Sequence, residues 1–378
     1  MPINKSLGSD NHSGIHPRLL DAISRANIGH SPAYGTDEFT HEANIILKNV
    51  FGEKCHPHFV FNGTAANVLC LKSLMESHEA VITASTAHLQ LDECGAPEHI
   101  IGCKVLLVPS VDGKLTPQGI EKHLVRAGDQ HYAQPKVVSI TLPSEYGTCY
   151  SLSELKELRT YTREKNLLLH IDGARLIYAA HYLGVELIEL TQNLGADAVS
   201  FGGTKNGLLF GEIVLIYNEQ AKNKFKYIRK QNMQLPSKMR FISCQFSEFF
   251  RASTENLQQN QASNTLVIGV PLWREIAQHC HSLSIYLAEG LKEFSQVSIT
   301  QKVQANSVFV KVPRTWIKPL KDAFFFYVWD EETFELRWMI SYDFTKSDID
   351  QFLTIIRMLS KEPLAQASAK PSTMQESH

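Results

Sequence analysis

Two segments of the chain hold the residue types that covalent amine chemistry needs. LLLHIDGARL (residues 167–176) and DAVSFGGTKNG (residues 197–207) each begin as an apolar, β-branched run and end in a polar cluster. If the runs are neighbouring strands buried on both faces of a sheet, Asp172 and Lys205 come together at its carboxyl edge, where open α/β sheets bind ligands. A lysine in a Gly-Gly-Thr-Lys turn can form an imine with an aldehyde, because small residues let backbone approach a ligand closely. An aspartate beside it can keep a pyridine nitrogen protonated, so that the ring accepts carbanion electrons. An amine and an acid placed this way suit pyridoxal phosphate. A solvated surface pair is the plainer alternative, and the flanking apolar runs argue against it.

Two further segments support the same chemistry. FVFNGTAANVLCL (residues 59–71) reads as a strand running into a helix, and the free N–H groups at Gly63, Thr64 and Ala65 would cradle a phosphate. Taken alone it is as well explained as an ordinary N-cap. STAHLQLDECGAPE (residues 85–98) adds His88 and Glu93 after another strand, and an imidazole there could stack on a pyridine face.

These residues need a scaffold. Between residues 57 and 218, PHFVFNG, EAVITAS, KVLLVPS, KVVSITLP, NLLLHID, AVSFGG and EIVLIYN alternate with helix-like stretches such as residues 152–165. That alternation predicts a three-layer α/β/α domain with a mainly parallel sheet. Residues 271–294 read as a long helix, VQANSVFVKV, AFFFYVW and FELRWMI as strands, and residues 346–361 as a helix. The expected organisation is an N-terminal arm and large domain over 1–265, a smaller α+β domain over 266–361, and a frayed tail over 362–378.

The ordered set SDNHSG, SPAYGTDEFT, FNGTAAN, HLQLDECGAPE, HIDGARL, SFGGTKNG, RKQNMQLPSKMRF and LRWMISY resembles the threonine aldolase family of fold-type-I pyridoxal-phosphate enzymes, in particular its low-specificity branch. The resemblance covers nearly the whole chain except the C-terminal tail. It implies cleavage of L-threonine or L-allo-threonine to glycine and acetaldehyde through a Lys205 Schiff base. It also implies that Asp172 pairs the pyridinium nitrogen, Arg175 contacts the ring hydroxyl and the substrate, and His88 stacks over the ring. Gly63, Thr64 and Ala65, with Thr204 beside the lysine, belong to the implied cofactor site. Ser9 and Arg337 look like the grip on the substrate carboxylate, a task that suits the planar arginine fork. Tyr34 looks like a lining residue, and Arg240 like a phosphate ligand supplied by a neighbouring subunit. The implied assembly is a homodimer at least, commonly a tetramer.

One departure stands out. Many family members carry Glu-Asn-Thr-His, whose histidine faces the substrate hydroxyl; here the stretch reads LPSEYGTCYS, with Glu145 kept and the histidine missing. The competing readings are a β-eliminating lyase or other amino-acid enzyme on the same fold, and a non-catalytic binding protein that kept it.

Composition narrows the rest. Hydrophobic residues are 43% of the 378, charged residues 20%, and the formal net charge is -2, which calls for neither nucleic acid nor an acidic membrane surface. No apolar run reaches the roughly 18 residues of a membrane span, and the polar opening lacks a signal-peptide core, so a cytoplasmic protein is expected. The seven cysteines are scattered without a CxxC pair, and the N-terminal histidines (His12, His16, His30, His56, His58) lack metal-ligand spacing, so no metal is expected. KNKFKYIRKQ is basic and aromatic but short, and reads as a solvated helix face.

Overall fold

The seven apolar runs become the seven strands of one sheet in a computed structural model that describes residues 5–252 and 269–361. They are β1 (His56–Val60), β2 (Glu79–Ala84), β3 (Lys104–Val108), β4 (Gln134–Thr141), β5 (Leu168–Gly173), β6 (Ala198–Gly202) and β7 (Glu212–Ile216), in the order β1-β7-β6-β5-β4-β2-β3. Only β7 runs against its neighbours, pairing antiparallel with both β1 and β6. The sheet is therefore mainly parallel, as expected.

Successive residues of a strand enter opposite layers of the core, as the two-residue period requires. Val137 packs with Val81, Val214 and Leu69 in one layer, whereas Val138 packs with Ile82, Leu169 and Leu215 in the other. Helix Gly63–Leu74 covers the first layer and is buried along most of its length, from Ala66 to Leu71. Both faces are covered, which explains why these strands read as continuous apolar runs.

Register sets the site. Thr141 at the end of β4, Asp172 one residue before the end of β5 and Ser200 two before the end of β6 lie side by side across the sheet. The reversed β7 begins beside the end of β6, so Glu212 faces Gly202 there as well.

The C-terminal part has an antiparallel sheet in the order β10-β11-β9-β8, built from β8 (Ser298–Ile299), β9 (Ser307–Lys311), β10 (Tyr327–Asp330) and β11 (Glu335–Met339). Helices Leu272–Leu291, Arg314–Ala323 and Lys346–Lys361 accompany it. The long helix and the last helix fall where the sequence places them. Strand β8 and helix Arg314–Ala323 were not expected, although Trp316 and Leu320, four residues apart, supply that helix's buried stripe. Leu7 joins the two parts: its N–H donates to Phe325 O at 2.8 Å, and its carbonyl accepts from Met339 N–H at 2.7 Å. The expected 265/266 boundary and the tail over 362–378 lie outside the described residues. All seven cysteines are free thiols, and no described helix is long and apolar enough to cross a membrane. Among the described residues no group of three or more His, Cys, Asp or Glu could hold a metal ion.

Candidate active site

A pocket of about 550 Å³ opens at the carboxyl edge of the sheet. Its floor is made by the ends of β5 and β6. At β6 the chain can turn only because two residues lack side chains: a Cβ on Gly202 would lie 2.1 Å from Ala174 O, and one on Gly203 would lie 2.4 Å from Gly211 O. Beyond them Thr204–Asn206 form a single 3₁₀ turn that carries Lys205. Asn206 Nδ2 holds the turn by donating to Gly202 O (2.7 Å) and Ala174 O (3.2 Å), and Thr204 Oγ1 accepts from Gly211 N–H (3.1 Å). Lys205 Nζ makes no hydrogen bond among the described residues. Burial, followed by the Arg175 charge, pushes its pKa down, so the free amine that can act as a nucleophile is favoured.

Asp172 is 4% exposed and purely an acceptor: Oδ1 takes Ala174 N–H (3.0 Å) and Oδ2 takes Asn67 Nδ2–H (2.8 Å). Over this floor His88 Nδ1 lies 2.9 Å from Glu93 Oε1, whose side chain is fully buried. The Glu93 hydrogen bond is the main reason that the His88 pKa is raised.

At the start of helix Gly63–Leu74, Asn62 Oδ1 accepts from Ala65 N–H at 2.9 Å. Ala65 has thus spent its donor on the cap and does not line the pocket, contrary to its expected place in the cradle. Gly63 and Thr64 do line it, and their N–H groups are the orphan donors of the first turn. Phe61 and Phe210 stack at 6.3 Å between ring centres on this side.

The opposite wall is cationic. Arg175 makes a bidentate pair with Asp10, at 2.7 and 2.9 Å, and Asp10 is 1% exposed. Arg337 lies over the Trp329 ring at 4.6 Å and reaches Gly8 O only at 3.5 Å, while its buried Nε has no partner. Burial and the neighbouring Arg175 charge push the Arg337 pKa down to about 10. Two cations with one carboxylate, bonded to Arg175, leave this wall short of negative charge. Ser9, whose Oγ caps the turn Asp10–His12 by accepting from Asn11 N–H (3.1 Å), stands beside it.

The beta-eliminating lyase family model matches residues 6–314. The chain belongs to the beta-eliminating lyase family. It is 39% identical over 318 residues to the low specificity L-threonine aldolase of Pseudomonas aeruginosa, covering 84% of this chain and 87% of that one. It is 36% identical to the low specificity L-threonine aldolase of a Pseudomonas species, covering 94% and 97%. Among solved structures, a threonine aldolase of Leishmania major superposes with a TM-score of 0.84 at 26% identity, over 94% of this chain and 99% of that one. The protein is thus a lyase on the scaffold of the fold-type-I pyridoxal-phosphate enzymes, a family that depends on that cofactor.

Against this family background the departing segment has a definite structure. Thr148 is buried and donates to Asp112 O (2.6 Å), away from the pocket, while Tyr146 packs between Phe309 and Trp329 at 5.6 and 5.9 Å. Glu145 lines the pocket: Oε1 accepts from His88 N–H at 3.0 Å and the buried Oε2 has no partner. Burial pushes its pKa up to about 7. Glu212 is also pushed up to about 7 by burial, although Gly203 N–H donates to it at 2.6 Å. Tyr34 and Arg240 do not line the pocket of their own chain. They share a surface patch instead, where Tyr34 N–H donates to Ser237 O (2.9 Å), Arg240 donates to Gly29 O (3.4 Å), and Tyr34 is half exposed with φ 60°.

The pocket gathers Ser9, Gly63, Thr64, His88, Glu145, Asp172, Arg175, Thr204, Lys205 and Arg337 from the expected set. It adds Asn67, Ser200, Phe210, Glu212 and Trp329, and behind its wall Asp10, none of which sequence reasoning assigned. Asp10 and Asn67 stand inside quoted segments, SDNHSG and FNGTAAN, but nothing local marks them as buried. Their signal is the cation or carboxylate that each serves, which only the fold brings near.

Proposed function

We propose that the protein cleaves L-threonine and L-allo-threonine to glycine and acetaldehyde, with pyridoxal phosphate held by Lys205. The observation that carries this reading is Lys205: a buried amine without a hydrogen bond, in one pocket with the Asp172 carboxyl, held by Asn67 and the Ala174 N–H, and the unpaired cation of Arg337. The donor set fits the cofactor. Asp172 would take the pyridinium N–H, the orphan N–H groups of Gly63 and Thr64 would take phosphate oxygens, and Arg175 would meet the ring hydroxyl. When bound, the cofactor supplies an electron sink for the breaking Cα–Cβ bond.

The chain's own residues do the rest. Arg337 and Ser9 bind and orient the α-carboxylate, and orientation of that kind can lower a barrier by several kcal/mol. His88, its Nδ1 committed to Glu93, offers Nε2 to the β-hydroxyl proton. Lys205 would hold the cofactor as an imine between turnovers. The protein works in the cytoplasm as a dimer or tetramer, with Tyr34 and Arg240 reaching the pocket of a neighbouring subunit.

Product analysis with the four threonine stereoisomers tests this function. The expected outcome is glycine plus acetaldehyde from both L-isomers, with a preference below about a hundredfold because no second histidine reads the hydroxyl. Purified protein should be yellow, and Lys205→Ala should lose both colour and turnover. A keto acid plus ammonia as products, or an active Lys205→Ala variant, would refute the reading.

A further inference from the structure

Asn67 is 3% exposed and sits in the second turn of helix Gly63–Leu74. Asparagine is a poor choice there on helix propensity, and a buried amide is costly unless its groups are partnered. Its partners explain it. One Nδ2 hydrogen goes to Asp172 Oδ2 (2.8 Å) and the other to Glu93 Oε1 (2.9 Å), while Oδ1 accepts from Ser200 Oγ (2.5 Å). The flipped amide would set its carbonyl against two carboxylate oxygens, so the orientation is fixed by charge. Glu93 Oε1 is the same atom that meets His88 Nδ1.

We propose that Asn67 is a positioning residue that ties Asp172 to the Glu93–His88 pair, holding the carboxyl groups of Asp172 and Glu93 on one amide. The inference rests on the aldolase reading, since it gives Asp172 and His88 their tasks. Asn67 touches no reacting atom. It keeps Asp172 aimed at the ring-nitrogen position, and by sharing Glu93 Oε1 it limits how strongly that oxygen draws on His88. Without the amide, Glu93 would give its whole charge to the imidazole, and His88 would hold its proton to higher pH. The charged and titratable groups facing His88 are Glu93 from its own segment, Glu145 after β4, Asp172 at the end of β5 and Lys205 after β6. Replacing Asn67 removes none of these four groups; it frees Glu93 and Asp172 from their shared amide.

The test uses Asn67→Ala and the volume-filling Asn67→Leu, neither of which donates a hydrogen bond. His88 is titrated by NMR in cofactor-free protein, and kcat and KM for L-threonine are measured in holoenzyme. In whichever variant folds, the His88 midpoint should rise by at least about half a pH unit and kcat should fall at least about tenfold, with KM within about threefold. A merely structural role would lower thermal stability without moving the His88 midpoint. A folded variant with the wild-type midpoint and kcat within about threefold overturns the proposal. Wild-type protein that binds no cofactor overturns the aldolase reading with it, so the two failures are told apart.

Discussion

Glu145→Gln isolates one consequence of a carboxyl held near pH 7. An ordinary glutamate titrates near 4.5, and burial raises Glu145 to about 7. The folded state therefore binds its proton more tightly than the unfolded state, and folding stability falls as pH rises from 4.5 through 7. At about 1.36 kcal/mol per unit, the linkage relation gives a penalty of roughly 0.8 kcal/mol at pH 5 and roughly 3.3 kcal/mol at pH 8. Glutamine keeps a carbonyl for His88 N–H and cannot ionise, and the cost of its buried amide is the same at every pH. The stability of Glu145→Gln minus that of wild type should therefore grow by about 2.5 kcal/mol from pH 5 to pH 8, in favour of the variant. Comparing the two proteins at each pH cancels the titrating groups that are not coupled to Glu145, Glu212 among them. Urea unfolding of cofactor-free protein at the two pH values measures it. If the difference changes by less than about 1 kcal/mol, Glu145 is ionised at neutral pH and does not hold a proton in the pocket.

Two other substitutions probe His88 and Arg337. His88→Phe, which keeps an aromatic face and removes the nitrogens, should retain the cofactor absorbance band and lose about 10²–10⁴-fold in kcat; an unchanged kcat excludes His88 as the base. Arg337→Leu removes a charge-assisted grip worth about 1.5–3 kcal/mol, so KM for L-threonine should rise roughly ten- to a hundredfold, and an unaltered KM assigns the carboxylate to another group.

Legibility in the sequence followed the range of the interactions. The seven strands were legible because burial on both faces leaves long apolar runs, and Asp172 and Lys205 were legible because each follows such a run directly. The reversal of β7 left no such mark, since EIVLIYN reads the same in either direction. Helix Arg314–Ala323 escaped because its stripe is only Trp316 and Leu320 in a polar segment with Pro319 inside it. Ala65 was misplaced because an N-cap and a phosphate cradle compete for the same N–H groups, and only the geometry of Asn62 shows which donor the cap takes. Asp10 lies 165 residues from the arginine it pairs with, and no local pattern announces a contact of that separation.

The electrostatics of the pocket also argue for one direction of substrate entry. On one wall Arg175 is paired with Asp10 while Arg337 has no carboxylate partner, and burial together with the Arg175 charge pushes the Arg337 pKa down to about 10. A carboxylate arriving at that wall relieves the repulsion between the two cations. Across the floor, Glu145 and Glu212 are pushed up to about 7 by burial, so that side resists a further negative charge and tolerates a neutral hydroxyl. An α-amino acid would then lie with its carboxylate toward Arg337 and its side-chain hydroxyl toward His88 and Glu145, with the amino group left over Lys205. The reverse orientation would bury a carboxylate against two carboxyl groups and leave Arg337 unpaired.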